Sequence, residues 1–212
     1  MTAGQFDTVA FLYDPLARLV FGRALERAQT RLFPHLKTGA SVLILGGGTG
    51  FLLNAVLTRL RPRYVLYLDA SAQMLSRAAH RTDRHPLRCC VTFRQGTQAE
   101  LAPGESFDVV LLPFVLDLYT DETLRSVLLP PLLTALAPGG QLLVTDFDQP
   151  RTAPQRLILW AMYRFFRLST GIEARRLPDW PRLLTQAGLT ETEPVQLRNG
   201  QLRTGIWKKV IR

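Results

Sequence analysis

Short apolar runs alternate with stretches in which apolar positions recur every three or four residues, and this alternation organises the first 150 positions. Residues 41–45, 64–68, 90–95, 107–112 and 141–147 read as strands, the fourth ended by Pro113. Between them, 49–60 and 71–80 read as helices, the second capped by Ser71. A third helix over 121–136 is disturbed at Pro130-Pro131 and followed by the turn "APGG". Ahead of the first strand, Asp14-Pro15 opens a helix in which Leu16, Leu19, Val20, Leu25, Ala28 and Leu32 recur as far as Pro34. Apolar strands alternating with helices predict a parallel sheet covered on both faces.

The pattern changes after residue 150. A helix over 154–168 carries Trp160, Tyr163, Phe165 and Phe166, and a second over 179–187 is ended by Gly188. Two extended runs, 191–198 and 202–211, flank Asn199-Gly200, a hairpin signal, so the sheet is expected to end in an antiparallel pair. There is no internal repeat and no low-complexity linker. The chain reads as one domain, 1–212, with an N-terminal helical segment (1–38), a cofactor-binding core (39–148), and cap helices with a terminal hairpin (149–212).

Composition narrows this picture. No apolar run reaches the roughly 18 residues of a membrane span. The start "MTAGQFDTVAFLYDP" lacks a signal-peptide pattern, and the adjacent Cys89 and Cys90 suit neither a structural disulfide nor zinc. Cytoplasm is the expected location. The net charge of +9 raises nucleic acid or an anionic membrane surface as partners. The bases cluster at 59–94, 151–182 and the C-terminus, whereas 100–148 holds eight acids and one base, Arg125. No arginine run is dense enough for a nucleic-acid arm, so a solvated basic surface is the simpler reading.

The candidate chemistry lies in "VLILGGGTGFLL", residues 42–53. In a doubly wound sheet the turn after the first strand faces the ligand, glycine lets backbone approach it, and the next helix offers free N–H groups. No lysine follows as a phosphate loop requires, and Phe51 and Thr49 break the two dinucleotide registers, which disfavours an NAD-dependent oxidoreductase. The register that fits is Gly46-x-Gly48-x-Gly50, and Asp69 at the end of the second strand can accept from ribose hydroxyls.

The segments "VLILGGGTG", "YLDASAQML", "FDVVLLPFVLDLYTDE" and "LAPGGQLLVTDF" resemble the class I S-adenosylmethionine-dependent methyltransferases, especially the small-molecule branch that includes the ubiquinone and menaquinone C-methyltransferases. The resemblance runs from about Phe6 to the end. It implies a Rossmann-like, doubly wound, seven-stranded, mostly parallel sheet, with the last strand antiparallel between strands five and six, and a helical substrate cap. It also implies roles by position. Gly46, Gly47, Gly48 and Gly50 would line the methionyl end of S-adenosyl-L-methionine, Gly47 where other members carry a different small residue. Asp69 would hold the ribose, Ala70 and Met74 would flank the adenine, and Gly96, Thr97 and Gln98 would meet its edge. Pro113 and Phe114 would pass near the sulfonium, and Tyr13 would close over the site. Two departures stand out: Ile44 replaces an acid two residues before the first glycine, and Thr97 replaces an Asp.

Methyl transfer from a sulfonium needs alignment above all, and orientation can supply up to roughly 7–11 kcal/mol. Asp117 and Tyr119 are candidates for substrate positioning, Asp117 also for a base; the competing reading makes Asp117 a turn cap and packs Tyr119 on a helix. Asp121 with Glu122 reads as a helix cap and first-turn charge, and His35, His80 and His85 show no metal spacing. The aromatic and arginine residues of 156–168 suggest either a lid over an apolar or aromatic substrate, the arginines meeting an acidic group or a membrane surface, or an ordinary amphipathic helix. The expected activity is methyl transfer to a small hydrophobic or aromatic molecule. The alternatives are an RNA methyltransferase, against which "LPFV" departs from the motif of base-amine methylation, and a non-catalytic binding protein on the same fold.

Overall fold

The structure is a computed structural model that describes residues 21–170, 174 and 176–209, without the side chains of 165–170. Among the described residues, eight strands, β1 (Ser41–Leu45), β2 (Tyr64–Asp69), β3 (Val91–Gln95), β4 (Phe107–Pro113), β5 (Leu136–Phe147), β6 (Leu189–Glu191), β7 (Val195–Leu197) and β8 (Leu202–Lys209), form one sheet. Its order is β3-β2-β1-β4-β5-β8-β6, with β7 also paired to β8. The first five strands are mutually parallel, and β8 runs antiparallel to β5, β6 and β7. This is the doubly wound sheet expected, with its late strand inserted between the fifth and sixth. The extended run expected over 191–198 is replaced by two short strands on that inserted neighbour, β6 starting earlier at Leu189 and β7 covering only Val195–Leu197.

Alternate residues of the strands build two cores. Leu43, Leu45, Leu66, Leu68, Val110 and Leu112 pack on one face, Val42, Ile44, Val65, Tyr67, Val109 and Leu111 on the other. Strands that bury both faces need no polar alternation, which is why they read as continuous apolar runs.

Seven α-helices cover the sheet: α1 (Ala24–Thr30), α2 (Phe51–Arg59), α3 (Ala72–Thr82), α4 (Asp121–Thr123), α5 (Leu129–Ala135), α6 (Ala153–Thr170) and α7 (Trp180–Gln186), counted among the described residues. The Ser71 hydroxyl accepts from Met74 N–H and caps α3 as expected. The cap of α4 is Thr120, which accepts from Thr123 N–H, and not Asp121, which falls in the first turn. A π-helical turn, Leu124–Leu128, joins α4 to α5 just before Pro130-Pro131, whose missing N–H groups interrupt regular bonding. Thr152 and Gln155 form a reciprocal cap at the start of α6: the glutamine Oε1 accepts from Thr152 N–H and the threonine Oγ1 from Gln155 N–H.

Two boundaries differ from expectation. The first helix was expected to run to Pro34, but α1 starts just after Gly22, at φ +56°, and ends at Thr30, with Phe33–His35 forming a separate 3₁₀ turn; the expected start at Asp14-Pro15 lies outside the described residues. β5 begins at Leu136 rather than 141, because Leu136 pairs with Phe107 across a register shift and "APGG" is drawn into the strand.

Candidate active site

Register brings the candidate residues to one edge. Leu45 pairs with Leu68, Asp69 with Gln95, and Ile44 with Leu111, so Gly46, Asp69, Gly96 and Pro113 all lie at the carboxyl ends of the parallel strands. Strand order reverses between β1 and β4, the place where this topology leaves a ligand crevice.

The glycine loop spans this crevice. Gly46, Gly48 and Gly50 have φ of +70°, +63° and +84°, a region that side chains disfavour. Close neighbours also hold the loop to glycine: a Cβ on Gly46 would lie 2.6 Å from Val115 Cγ2, and one on Gly50 2.6 Å from Ala78 Cα in α3. Gly47, expected to be merely a small residue, has a steric reason of its own, since its Cβ would lie 2.5 Å from the Tyr67 hydroxyl. Gly46 N–H donates to Leu68 O at 2.8 Å, which stitches the loop to β2.

Asp69 is buried at the end of β2. One carboxylate oxygen accepts from Gly48 N–H and the other from Ser71 N–H, each at 3.0 Å. These bonds aim the acid between the loop and the start of α3. A carboxylate offers about four lone-pair sites, so it can accept from several donors at once. Ala70 and Met74 follow, half-buried, and Gln95 Nε2 donates to Ala70 O at 3.3 Å. Gly96 N–H donates to Asp69 O at 2.9 Å, which brings the loop after β3 against the same acid. In that loop Thr97 caps the short turn Gln98–Glu100, and Gln98 Oε1 is buried without a hydrogen-bond partner among the described residues. A buried acceptor left open fits a ligand that brings a donor, as an adenine amino group does.

The chain leaves β4 through a strained turn. Phe114 has φ +54°, an outlier for a bulky residue, and its N–H donates to Thr145 O at 2.7 Å. Its ring stands 5.4 Å from that of Phe147. Asp117 follows in the 3₁₀ turn Leu116–Leu118, and Tyr119 packs against the apolar core.

Sequence reasoning missed Asp146, at the end of β5, which is fully buried and accepts from the N–H groups of Leu116 (2.9 Å), Asp117 (3.3 Å) and Phe147 (2.7 Å). An acid inside the apolar run "LLVTDF" was the available signal. Asp117 is 8% exposed and its Oδ1 has no partner among the described residues. Burial pushes the Asp117 carboxyl up to about 7, and burial together with the Asp117 charge raises Asp146 well above the usual carboxylate range. Tyr163 of α6 donates its hydroxyl to Asp117 O at 3.1 Å, tying α6 to this turn.

Beyond Tyr163 lies an open cleft of about 500 Å³. It is lined by Leu159, Trp160 and Tyr163 of α6, by Leu177, Gln149 and Pro150, and by Asp121, Arg156, Arg176 and Asp179. Trp160 is 63% exposed, and Arg156 has no ion pair among the described residues. Asp117 and Tyr119 do not line this cleft. The expected site residue Tyr13 lies outside the described residues. No helix among the described residues is long and apolar enough to cross a membrane.

Comparison with known proteins identifies the family of this fold. A family profile described as a methyltransferase domain matches residues 43–152. The ubiquinone/menaquinone biosynthesis C-methyltransferase UbiE of Methylococcus capsulatus is 33% identical over 156 residues, covering 70% of this chain and 60% of its own. Its counterpart in Hahella chejuensis is 32% identical over 153 residues, with the same coverage of 70% and 60%. The chain therefore spans about 60% of the length of these relatives. Among solved structures, the mitomycin 7-O-methyltransferase MmcR matches 99% of this chain and 61% of its own at a TM-score of 0.70 and 22% identity. An O-methyltransferase family protein from Burkholderia thailandensis matches 96% and 57% at a TM-score of 0.68 and 22% identity. With the profile covering the glycine loop, Asp69 and the β4 turn together, the chain belongs to the methyltransferase domain family, whose methyl donor is S-adenosyl-L-methionine.

Proposed function

We propose that this chain transfers a methyl group from S-adenosyl-L-methionine to a small apolar or aromatic acceptor held in the cleft beside α6. One observation carries the reading. The turn after β4 touches both places at once, with Val115 against the glycine loop and Asp117 O bonded to Tyr163 in the cleft wall. That turn thus connects the loop that would hold the donor to the wall of the cleft that would hold the acceptor.

The residues present fit the donor. Gly46, Gly47, Gly48 and Gly50 would admit the methionyl end, Asp69 would take the ribose hydroxyls, and Ala70 and Met74 would flank the adenine. Gly96, Thr97 and Gln98 would meet the adenine edge, with Gln98 supplying its open acceptor. Pro113 and Phe114 would border the reacting end. When bound, the cofactor supplies an electrophilic methyl group on a cationic sulfur. The chain's part is then to orient the acceptor and keep water out of line, a contribution of up to roughly 7–11 kcal/mol. The relatives named for C-methylation in quinone biosynthesis support a small apolar acceptor. So does the cleft, whose two arginines stand beside two aspartates rather than forming the basic groove an RNA would favour.

Calorimetry with S-adenosylmethionine and S-adenosylhomocysteine tests the reading: binding of both is expected, and no binding by either at millimolar concentration sinks it. Trp160→Ala is expected to raise KM about tenfold for acceptors found in a panel of small phenols and hydroquinones, since about 1–2 kcal/mol of aromatic contact is lost. Affinity for S-adenosylhomocysteine should not change. Unchanged KM would place the acceptor elsewhere.

A further inference from the structure

The end of β1 carries no polar side chain toward the glycine loop. Ile44, where the resemblance leads one to expect an acid, is wholly buried in the apolar core. Yet the loop is not left loose. Gly46 N–H bonds Leu68 O, Gly48 N–H bonds the Asp69 carboxylate, and Gly48 O accepts from the Tyr67 hydroxyl at 2.8 Å. All three bonds come from the last residues of β2.

Tyr67 sits beside the gap. It is the register partner of Ile44 and packs in the same core, fully buried, with its ring 5.4 Å from that of Phe93. Its hydroxyl reaches past the strand end to the loop. The loop accommodates it only because residue 47 is glycine: a Cβ there would lie 2.5 Å from the hydroxyl and 2.6 Å from two ring carbons. The φ of Gly47 is not among the positive values of its neighbours, so the demand is for space, not for an unusual backbone.

We infer that Tyr67 is a positioning residue for the cofactor, holding the glycine loop from β2 in place of a carboxylate on β1, and that Gly47 and Tyr67 form one interdependent unit. This rests on the proposal that the loop binds S-adenosylmethionine. The phenol suits the task because a hydroxyl donor can fix a carbonyl without placing a charge in an apolar core.

The test is Tyr67→Phe, which keeps the ring and removes only the donor. Its affinity for S-adenosylhomocysteine by calorimetry should fall about tenfold, the effect of one lost hydrogen bond to a loop that must be ordered for binding. The melting curve of the free protein should stay close to wild type. Gly47→Ala, which pushes the loop off the ring, should lower affinity similarly, and the two changes together should cost less than their sum because both release the same loop. If wild type binds and both variants bind within about twofold of it, the assignment is overturned while methyl transfer stands. A Tyr67→Phe chain whose binding falls only in step with loss of folded protein also overturns it, since the tyrosine would then serve the core alone. If wild type binds neither cofactor form, both readings fall.

Discussion

Asp69→Ala is expected to weaken binding of S-adenosylhomocysteine about 100-fold or more, the product of lost ribose contacts and a released loop. The carboxylate already holds Gly48 N–H and Ser71 N–H, so its removal frees both the glycine loop and the entry to α3 before any ligand arrives. Each bond to a charged acceptor contributes about 1.5–3 kcal/mol, so the change should also lower thermal stability. Asp69→Asn separates the two parts. It keeps one carbonyl acceptor but presents an amide donor to a backbone N–H, and an intermediate loss is expected. Calorimetry and melting on the same samples check this; an Ala variant that binds within a few-fold of wild type would remove Asp69 from the ribose site.

Asp117→Asn should stabilise the protein at pH 8 and leave stability almost unchanged at pH 4. The Asp117 carboxyl is held up to about 7 by burial, against the roughly 3.9 of an unfolded chain. Between those values the native state keeps a proton that the unfolded state has released, so wild-type stability falls as pH rises through that window. Asparagine removes the titration. The gain at pH 8 should be about 1–3 kcal/mol, or roughly 2–12 °C in melting temperature for a chain of this size. Asp146 behaves differently, because three backbone N–H groups depend on it and Asp146→Ala strands them. Parallel pH profiles for wild type and Asp117→Asn would show that this carboxyl ionises normally in the native state.

The opposite end of the sheet has the opposite dependence. Asp108, at the start of β4, meets Lys37 Nζ at 2.8 Å and Arg63 Nη2 at 2.9 Å, and accepts from Ser41 N–H at 3.0 Å. The Lys37 contact, reinforced by the Ser41 backbone bond, lowers its carboxyl to about 2. Stability from this group is present above the unfolded value near 3.9 and is lost as pH falls toward 2.

Local chemistry was legible where the chain interacts with near neighbours. Apolar strand runs gave the parallel sheet, the spacing of Gly46, Gly48 and Gly50 matched the backbone that needs positive φ, and Ser71 capped its helix. What stayed hidden depended on contacts between distant segments. A tyrosine in "YVLYLD" looks like core, and nothing nearby in sequence shows that its hydroxyl meets a loop some twenty positions earlier. Asp146 could be seen as an acid in an apolar strand, but its role follows from a turn thirty positions away folding onto it. Thr120 and Asp121 are both good caps, and only the entry angle of the helix chooses between them. The tie between Asp117 and the cleft was likewise hidden, since it runs through the Tyr163 hydroxyl from some forty-six positions away.

The position of β8 bears on how the protein is made. Among the described strands it comes last in sequence but lies inside the sheet, between β5 and the short strands β6 and β7. During synthesis the parallel half can assemble early, but β5 then keeps an unpaired edge, and β6 and β7 have nothing to pair with until Leu202–Lys209 is available. An open apolar edge of this kind is a template for association between chains. A stalled ribosome, or a stop codon before residue 202, would therefore release a nascent chain with its central sheet built and one side ready to recruit a neighbour.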